Sequence, residues 1–262
     1  MSQSYPLLFL WLLVLSAVSS TAIPLRTGIF APVKGGSVTT RADKVPLRVL
    51  PLGASITWGV NSASGNGYRA PLRNKLTSTG WEVDMVGTKQ HGNMTDNDVE
   101  AHSGDIIDQV KAAAQGSLKY KPNVVLINAG TNDCRRNISI SEAGDRMRSL
   151  IESILDAEDT HDTTIVLSTL IPSVQKQTEA NRPEVNRQYR SLANKMQKEG
   201  VRIVLADMDP ETDDDNNRLV YPEDYTTNGV ADDTHPNEQG YAKMANVWYK
   251  AVLEASDRGF IQ

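Results

Sequence analysis

Three short segments of this sequence carry side chains that together could perform acyl transfer. Leu52-Gly53-Ala54-Ser55-Ile56-Thr57 holds a serine. A hydroxyl is a weak nucleophile until a base takes its proton, and the natural base at neutral pH is a histidine held in one tautomer by a carboxylate. Asp232-Asp233-Thr234-His235-Pro236 supplies both groups. Pro236 biases His235 away from the helical region and suits the first turn of a following helix, so the imidazole falls on a loop directly before that helix. A carboxylate three residues ahead of the ring, as Asp232 is, can lie behind it in a turn and accept the Nδ1 proton, leaving Nε2 for Ser55. Asp233 competes for that role, and spacing alone does not rank the two.

Acyl transfer also needs donors aimed at the developing oxyanion, each contributing on the order of 3 kcal/mol. Asn132, in Gly130-Thr131-Asn132-Asp133, offers a side-chain amide. Gly104, in His102-Ser103-Gly104-Asp105, can bring its backbone N–H close to a ligand because it has no Cβ, and the Ser55 N–H lies at the start of a helix or turn. Taken singly these residues are ordinary: a turn serine, a helix-capping histidine, a loop asparagine and a loop glycine. Their combination points to chemistry. His91, His102 and His161 read as surface or supporting groups, with His102 nearest the glycine. Cys134, the single cysteine, has no motif partner and reads as a small, buried, inert thiol.

The scaffold that must bring these segments together shows in the apolar pattern. Strands are expected at Pro46 to Leu52, Glu82 to Val86, Val124 to Ala129, Thr164 to Thr169 and Val201 to Ala206. Helical periodicity occupies Tyr68 to Thr79, Ile106 to Tyr120, Ser141 to Glu158, Glu184 to Glu199 and Gln239 to Ser256. Strands alternating with helices, with apolar central strands, imply an α/β fold: a three-layer α/β/α sandwich around a central parallel sheet. In such sheets ligands bind where loops leave the carboxyl ends of the strands, and the serine and asparagine segments directly follow strand candidates.

At 262 residues, 39% hydrophobic and 23% charged, the chain fits one soluble domain. A net charge of −5 and the lack of a basic cluster interleaved with aromatics argue against nucleic acid as a partner. Leu7 to Val18 is almost wholly apolar and gives way to Ser19, Ser20, Thr21 and Ala22, the pattern of a secretory signal peptide too short to span a bilayer comfortably. Residues 1–22 are therefore expected to be cleaved, 23–45 to form a flexible leader and 46–262 to be the working domain of a secreted monomer with no membrane attachment. The sequons Asn93-Met94-Thr95 and Asn137-Ile138-Ser139 fit an extracellular route. The run Asp213, Asp214, Asp215 lacks the ligand spacing of a calcium loop and reads as a solvated loop. No metal or other cofactor is expected.

With these blocks in order, the chain resembles the SGNH hydrolases, the superfamily also called GDSL esterases and lipases. Its nucleophile block is similar to Leu52 to Thr57, its glycine block to Ser103-Gly104-Asp105, its asparagine block to Gly130 to Asp133 and its acid-base block to Asp232 to His235. The resemblance implies the SGNH flavodoxin-like fold, with Ser55 as nucleophile and oxyanion donor, Gly104 and Asn132 as the other donors, His235 as base and Asp232 as its orienting acid. The family usually has Asp immediately before the serine, whereas this chain has Ala54. Arg48-Val49-Leu50-Pro51-Leu52-Gly53 and Trp58 narrow the resemblance to carbohydrate esterase family three, whose members are similar to acetyl xylan esterases. That implies a small or polysaccharide ester as substrate, with Trp58 or Tyr68 as aromatics able to stack on a sugar ring. A lipase-type esterase of the same fold and a non-catalytic carbohydrate-binding relative are the competing readings.

Overall fold

In the computed structural model, residues 44–210 and 216–262 are described, together with Met1. The apolar amino-terminal segment and its leader up to residue 43 lie outside the described residues, as do Asp213, Asp214 and Asp215. The chain runs β1 (Leu47–Gly53), α1 (Ser55–Trp58), α2 (Arg69–Ser78), β2 (Val83–Met85), β3 (Lys89–Gln90), β4 (Asp98–Ala101), α3 (Ile107–Ser117) and β5 (Val124–Asn128). It continues with α4 (Thr131–Arg136), α5 (Ala143–Leu155), β6 (Thr164–Ser168), α6 (Lys176–Lys198), β7 (Ile203–Ala206), the short pair β8 (Thr226–Thr227) and β9 (Val230–Ala231), and α7 (Glu238–Asp257).

The apolar strands pair in parallel in the order β4-β1-β5-β6-β7, with β2 beside the first half of β1 on the same edge that β4 continues. Alternation along each central strand then divides the core. Val49, Val124, Leu126, Val166 and Val204 face the layer of α2 and α7, where Trp248, Met244 and Leu72 are buried. Leu50, Leu52, Val125, Ile127 and Ile165 face α3, α5 and α6, where Val110, Ile151 and Val185 are buried. Both faces are covered, which accounts for strands apolar at nearly every position. The three-layer α/β/α fold expected from the sequence is the fold observed.

Three local departures have physical causes. The sheet is not wholly parallel, because β3 runs antiparallel to β4, with Lys89 opposite Val99. β4 itself, Asp98-Val99-Glu100-Ala101, was not expected as a strand because half of it is acidic. Its Glu100 is nonetheless buried, since its carboxylate accepts hydrogen bonds from Ser117 Oγ, Thr88 Oγ1 and the Thr88 N–H, and bonds His102 Nε2 at 2.8 Å. α6 starts at Lys176 rather than at Glu184, with Pro183 inside the helix. Gln175 caps it by accepting from the Thr178 N–H at 2.6 Å, and the buried Arg182 next to the proline pairs with Glu179 and Asp209.

Candidate active site

Strand register alone brings the first two functional blocks together. Gly53 at the end of β1 pairs with Asn128 at the end of β5 on one side and with Ala101 of β4 on the other. Ser55, Asn132 and Gly104 each follow their strand by a few residues, so they emerge at adjacent points on one rim. Between β1 and β5 the connections leave in opposite directions along the sheet, the switch point where open α/β sheets bind ligands. Ser55, Gly104, Asn132 and His235 all line one open cleft of about 620 Å³ at this place.

The turn that carries Ser55 is tightly determined. A Cβ at Gly53 would fall 2.3 Å from the Asn128 carbonyl oxygen and 2.4 Å from Thr57 Oγ1, so no other residue fits. α1 begins immediately after the buried Ala54, which stands where the resemblance leads one to expect an aspartate. Support for α1 comes instead from Arg69, whose side chain is buried. Its guanidinium donates to the carbonyls of Thr57 and Trp58 within that helix, and to those of Gly65, His91 and Asn97 around it.

His235 is fixed from both sides. Its Nε2 lies 2.9 Å from Ser55 Oγ, and its Nδ1 lies 3.0 Å from Asp232 Oδ1. The same carboxylate oxygen accepts from the backbone N–H groups of Thr234 and His235 at 2.8 and 2.7 Å. Burial pushes the Asp232 carboxyl up, but those two donors and the adjacent imidazole outweigh it and hold the group below its ordinary value of 3.8, so it stays ionised. Asp233 turns the other way, accepting from Thr234 Oγ1 at 2.7 Å and lying 3.5 Å from Arg135 Nη1. Geometry therefore ranks the two acids that spacing could not. Nδ1–H pointing to Asp232 leaves the Nε2 lone pair to accept the Ser55 proton.

Gly104 has φ +95°, the left-handed region open to glycine, so its backbone requires the residue found there. Asn132 sits in the first turn of α4 and donates one amide hydrogen to the Asp105 carbonyl at 2.9 Å, which orients the amide and leaves its second hydrogen available. α4 is anchored by the buried Asp133, paired with Arg146 at 2.7 Å and accepting from the Ile107 N–H that opens α3.

Among the stacking candidates, Tyr68 is a correction. It is fully buried, its ring packs on Trp248 and its hydroxyl lies 3.2 Å from Thr57 Oγ1, so it cannot meet a sugar; an aromatic at the start of an amphipathic helix points inward here. Trp58 is half-buried and stacks on His91 at 4.0 Å with an interplanar angle of 16°, one face thus being occupied. Burial and the nearby Arg69 charge lower the pKa of His91, which keeps that ring neutral. His102 is held by Glu100, and His161 bonds the Leu155 carbonyl far from the site. Cys134 is buried and its thiol is pushed up to about 12, which makes it unreactive. Asn93 and Asn137 are both exposed. Arg135, Arg136 and Gln175 also line the cleft, and sequence reasoning had not marked them. Two arginines closing a short helix read simply as cations favoured at a helix C-terminus.

Comparison with known proteins agrees with this architecture. The model of the GDSL-like Lipase/Acylhydrolase family matches residues 52–243. A multidomain esterase of Ruminococcus flavefaciens is 25% identical over 244 residues, covering 80% of this chain; the chain spans 29% of that protein's length. The family 3 carbohydrate esterase of Clostridium thermocellum is similar in structure at a TM-score of 0.67 and 24% identity, covering 83% of this chain and 100% of that one. A family 3 carbohydrate esterase of Talaromyces cellulolyticus gives 0.64 at 20% identity, covering 80% and 99%. At such identities the likeness speaks for the fold.

Proposed function

The chain belongs to the GDSL-like lipase/acylhydrolase family, and on that premise we propose that it is a serine esterase that deacetylates carbohydrate through an acyl-enzyme. The observation that carries the reading is the hydrogen-bonded line from Ser55 Oγ through His235 to Asp232, opening into the cleft that Gly104 and Asn132 share.

In this reading Ser55 Oγ attacks the ester carbonyl as its proton passes to His235 Nε2, and Asp232 stabilises the imidazolium through Nδ1–H. Negative charge on the former carbonyl oxygen is met by the N–H groups of Ser55 and Gly104 and by Asn132 Nδ2. His235 then protonates the departing alcohol, leaving Ser55 acetylated. A water molecule, deprotonated by His235, attacks the acetyl carbonyl and releases acetate with Ser55 restored.

A carbohydrate alcohol is supported by the character of the cleft. It is open, and among the described residues Val60 is the one aliphatic side chain that lines it, a poor match for a long acyl chain. The family 3 carbohydrate esterases share the fold. We extend the proposal to a secreted protein, in keeping with the apolar segment Leu7 to Val18 and with the exposure of both sequon asparagines. Acetate release from p-nitrophenyl acetate and from acetylated xylan, measured beside Ser55→Ala, tests the reading. Release from both that collapses in the variant supports it, and equal background release from parent and variant overturns it.

A further inference from the structure

Resting on the esterase reading, we infer that Arg135 and Arg136 form an anion-binding subsite beside the scissile ester, selecting carbohydrate esters whose sugar carries a carboxylate, as in acetylated uronates.

The charge of the cleft runs against that of the chain. The sequence has a net charge of −5, yet the ionisable side chains lining the cleft among the described residues are Arg135, Arg136 and His235, without a carboxylate. Helical spacing puts the arginines in register with chemistry. They stand three and four residues after Asn132 in α4, which brings all three to one face of the helix. Arg136 reaches furthest toward the oxyanion end, since its Nη2 lies 3.4 Å from where a Cβ on Gly104 would sit. An anion held there would be next to the ester carbonyl.

Neither guanidinium is consumed by the fold. Elsewhere among the described residues arginines are tied down: Arg190 grips Asp207 with two hydrogen bonds, and Arg187 grips Glu184 likewise. Arg135 makes two long contacts through Nη1, 3.5 Å to Asp233 Oδ1 and 3.4 Å to Thr234 Oγ1, and the ion pair, with both side chains 45% exposed, is one that water largely screens. Arg136 is exposed and acts on Asp105 only through its field. The preference of cations for a helix C-terminus explains a basic residue in this turn, but it does not account for both of them facing the cleft. Gln175 adds a neutral donor, because its Oε1 is taken by the Thr178 N–H and hydroxyl, leaving the amide nitrogen for a ligand.

A planar fork of N–H donors recognises carboxylate and phosphate alike. With Val60 as the one aliphatic side chain lining the cleft among the described residues, an acidic sugar is favoured over the phosphate of a lipid ester.

The test compares kcat/KM for acetate release from acetylated polygalacturonate and from acetylated neutral xylan, in the parent chain, Arg135→Gln, Arg136→Gln and Arg136→Lys. The parent should prefer the acidic polymer. The preference ratio should fall about tenfold in Arg136→Gln, chiefly through KM on the acidic polymer, fall less in Arg136→Lys, and weaken with added salt. No preference in the parent, or one unchanged in both glutamine variants, overturns the subsite. Faster cleavage of lysophosphatidylglycerol than of either polymer overturns the acidic-sugar assignment in favour of a lipid. Ser55-dependent release from p-nitrophenyl acetate, run alongside, separates these failures from failure of the esterase reading itself.

Discussion

His235 Nε2 meets Ser55 Oγ at 2.9 Å although the two residues are 180 positions apart in the chain. Because β1 delivers the serine and the loop before α7 delivers the histidine, that contact depends on the whole sheet being folded. The carboxylate behind the ring completes the line, and the proposed chemistry makes specific demands on each participant.

The two neighbouring acids should behave differently. Asp232→Asn removes the acceptor at His235 Nδ1 and is expected to lower kcat by about a thousandfold or more, while Asp233→Asn, whose side chain bonds Thr234 and Arg135 and not His235, should stay within about threefold of the parent. Steady-state kinetics on p-nitrophenyl acetate with both variants checks this, and equal losses would contradict the assignment of Asp232.

Two glycines at the site should fail in different ways. Gly53→Ala drives a Cβ into the Asn128 carbonyl and Thr57 and should abolish folding or lower the melting temperature sharply. At Gly104 space is available but φ is +95°, so Gly104→Ala should cost about 1–2 kcal/mol in stability and reduce kcat by more than it raises KM. Thermal melts beside kinetics separate the two, and unchanged kcat in Gly104→Ala would remove its N–H from the oxyanion pocket.

Arg69 is expected to be structural in a way that shows in activity. Its buried guanidinium satisfies five backbone carbonyls in and around α1, so Arg69→Met leaves them bare and should destabilise the fold by about 3–5 kcal/mol. Arg69→Lys, with a single ammonium in place of the fork, should also be clearly destabilised. Urea titration measures this, and a change below about 1 kcal/mol in either variant would show that water takes over the carbonyls.

Acid stability should report on Glu100. Burial pushes its carboxyl up, but the hydrogen bonds from Ser117, Thr88 and His102 prevail and hold it below its ordinary value of 4.5. A carboxyl with a depressed folded-state pKa contributes stability that is fully present above 4.5 and lost as pH falls through the lower folded value. Glu100→Gln should therefore flatten the acid limb of the stability profile below that point. An acid limb identical to the parent's would assign the loss to other groups.

Ser55 and Asn132 are legible in the sequence because each sits just beyond an apolar strand, and the α/β pattern fixes where those strand ends meet. Gly104 and His235 follow no strand that the sequence reveals, and they are found from residue type, local spacing and the family resemblance. The choice between Asp232 and Asp233 is not legible, since it depends on which carboxylate the turn folds under the backbone N–H groups of Thr234 and His235. β4 is hidden because Glu100 looks solvated until Thr88 and Ser117, 12 and 17 residues away, come to satisfy it. Tyr68 misleads because an aromatic beginning a helix reads equally well as exposed or buried, and only the packing against Trp248 decides. Arg135 and Arg136 pass unnoticed because helix-end cations have an ordinary explanation that requires no ligand.

The central claim is a covalent acetyl-enzyme on Ser55. Rapid-quench mapping of the protein after mixing with p-nitrophenyl acetate, by mass spectrometry of its peptides, tests this most directly. The account predicts an acetyl group on the peptide containing Ser55, formed in the burst phase and absent from Ser55→Ala. Turnover at the parent's rate in Ser55→Ala, with no acetylated Ser55 peptide in the parent, would contradict it.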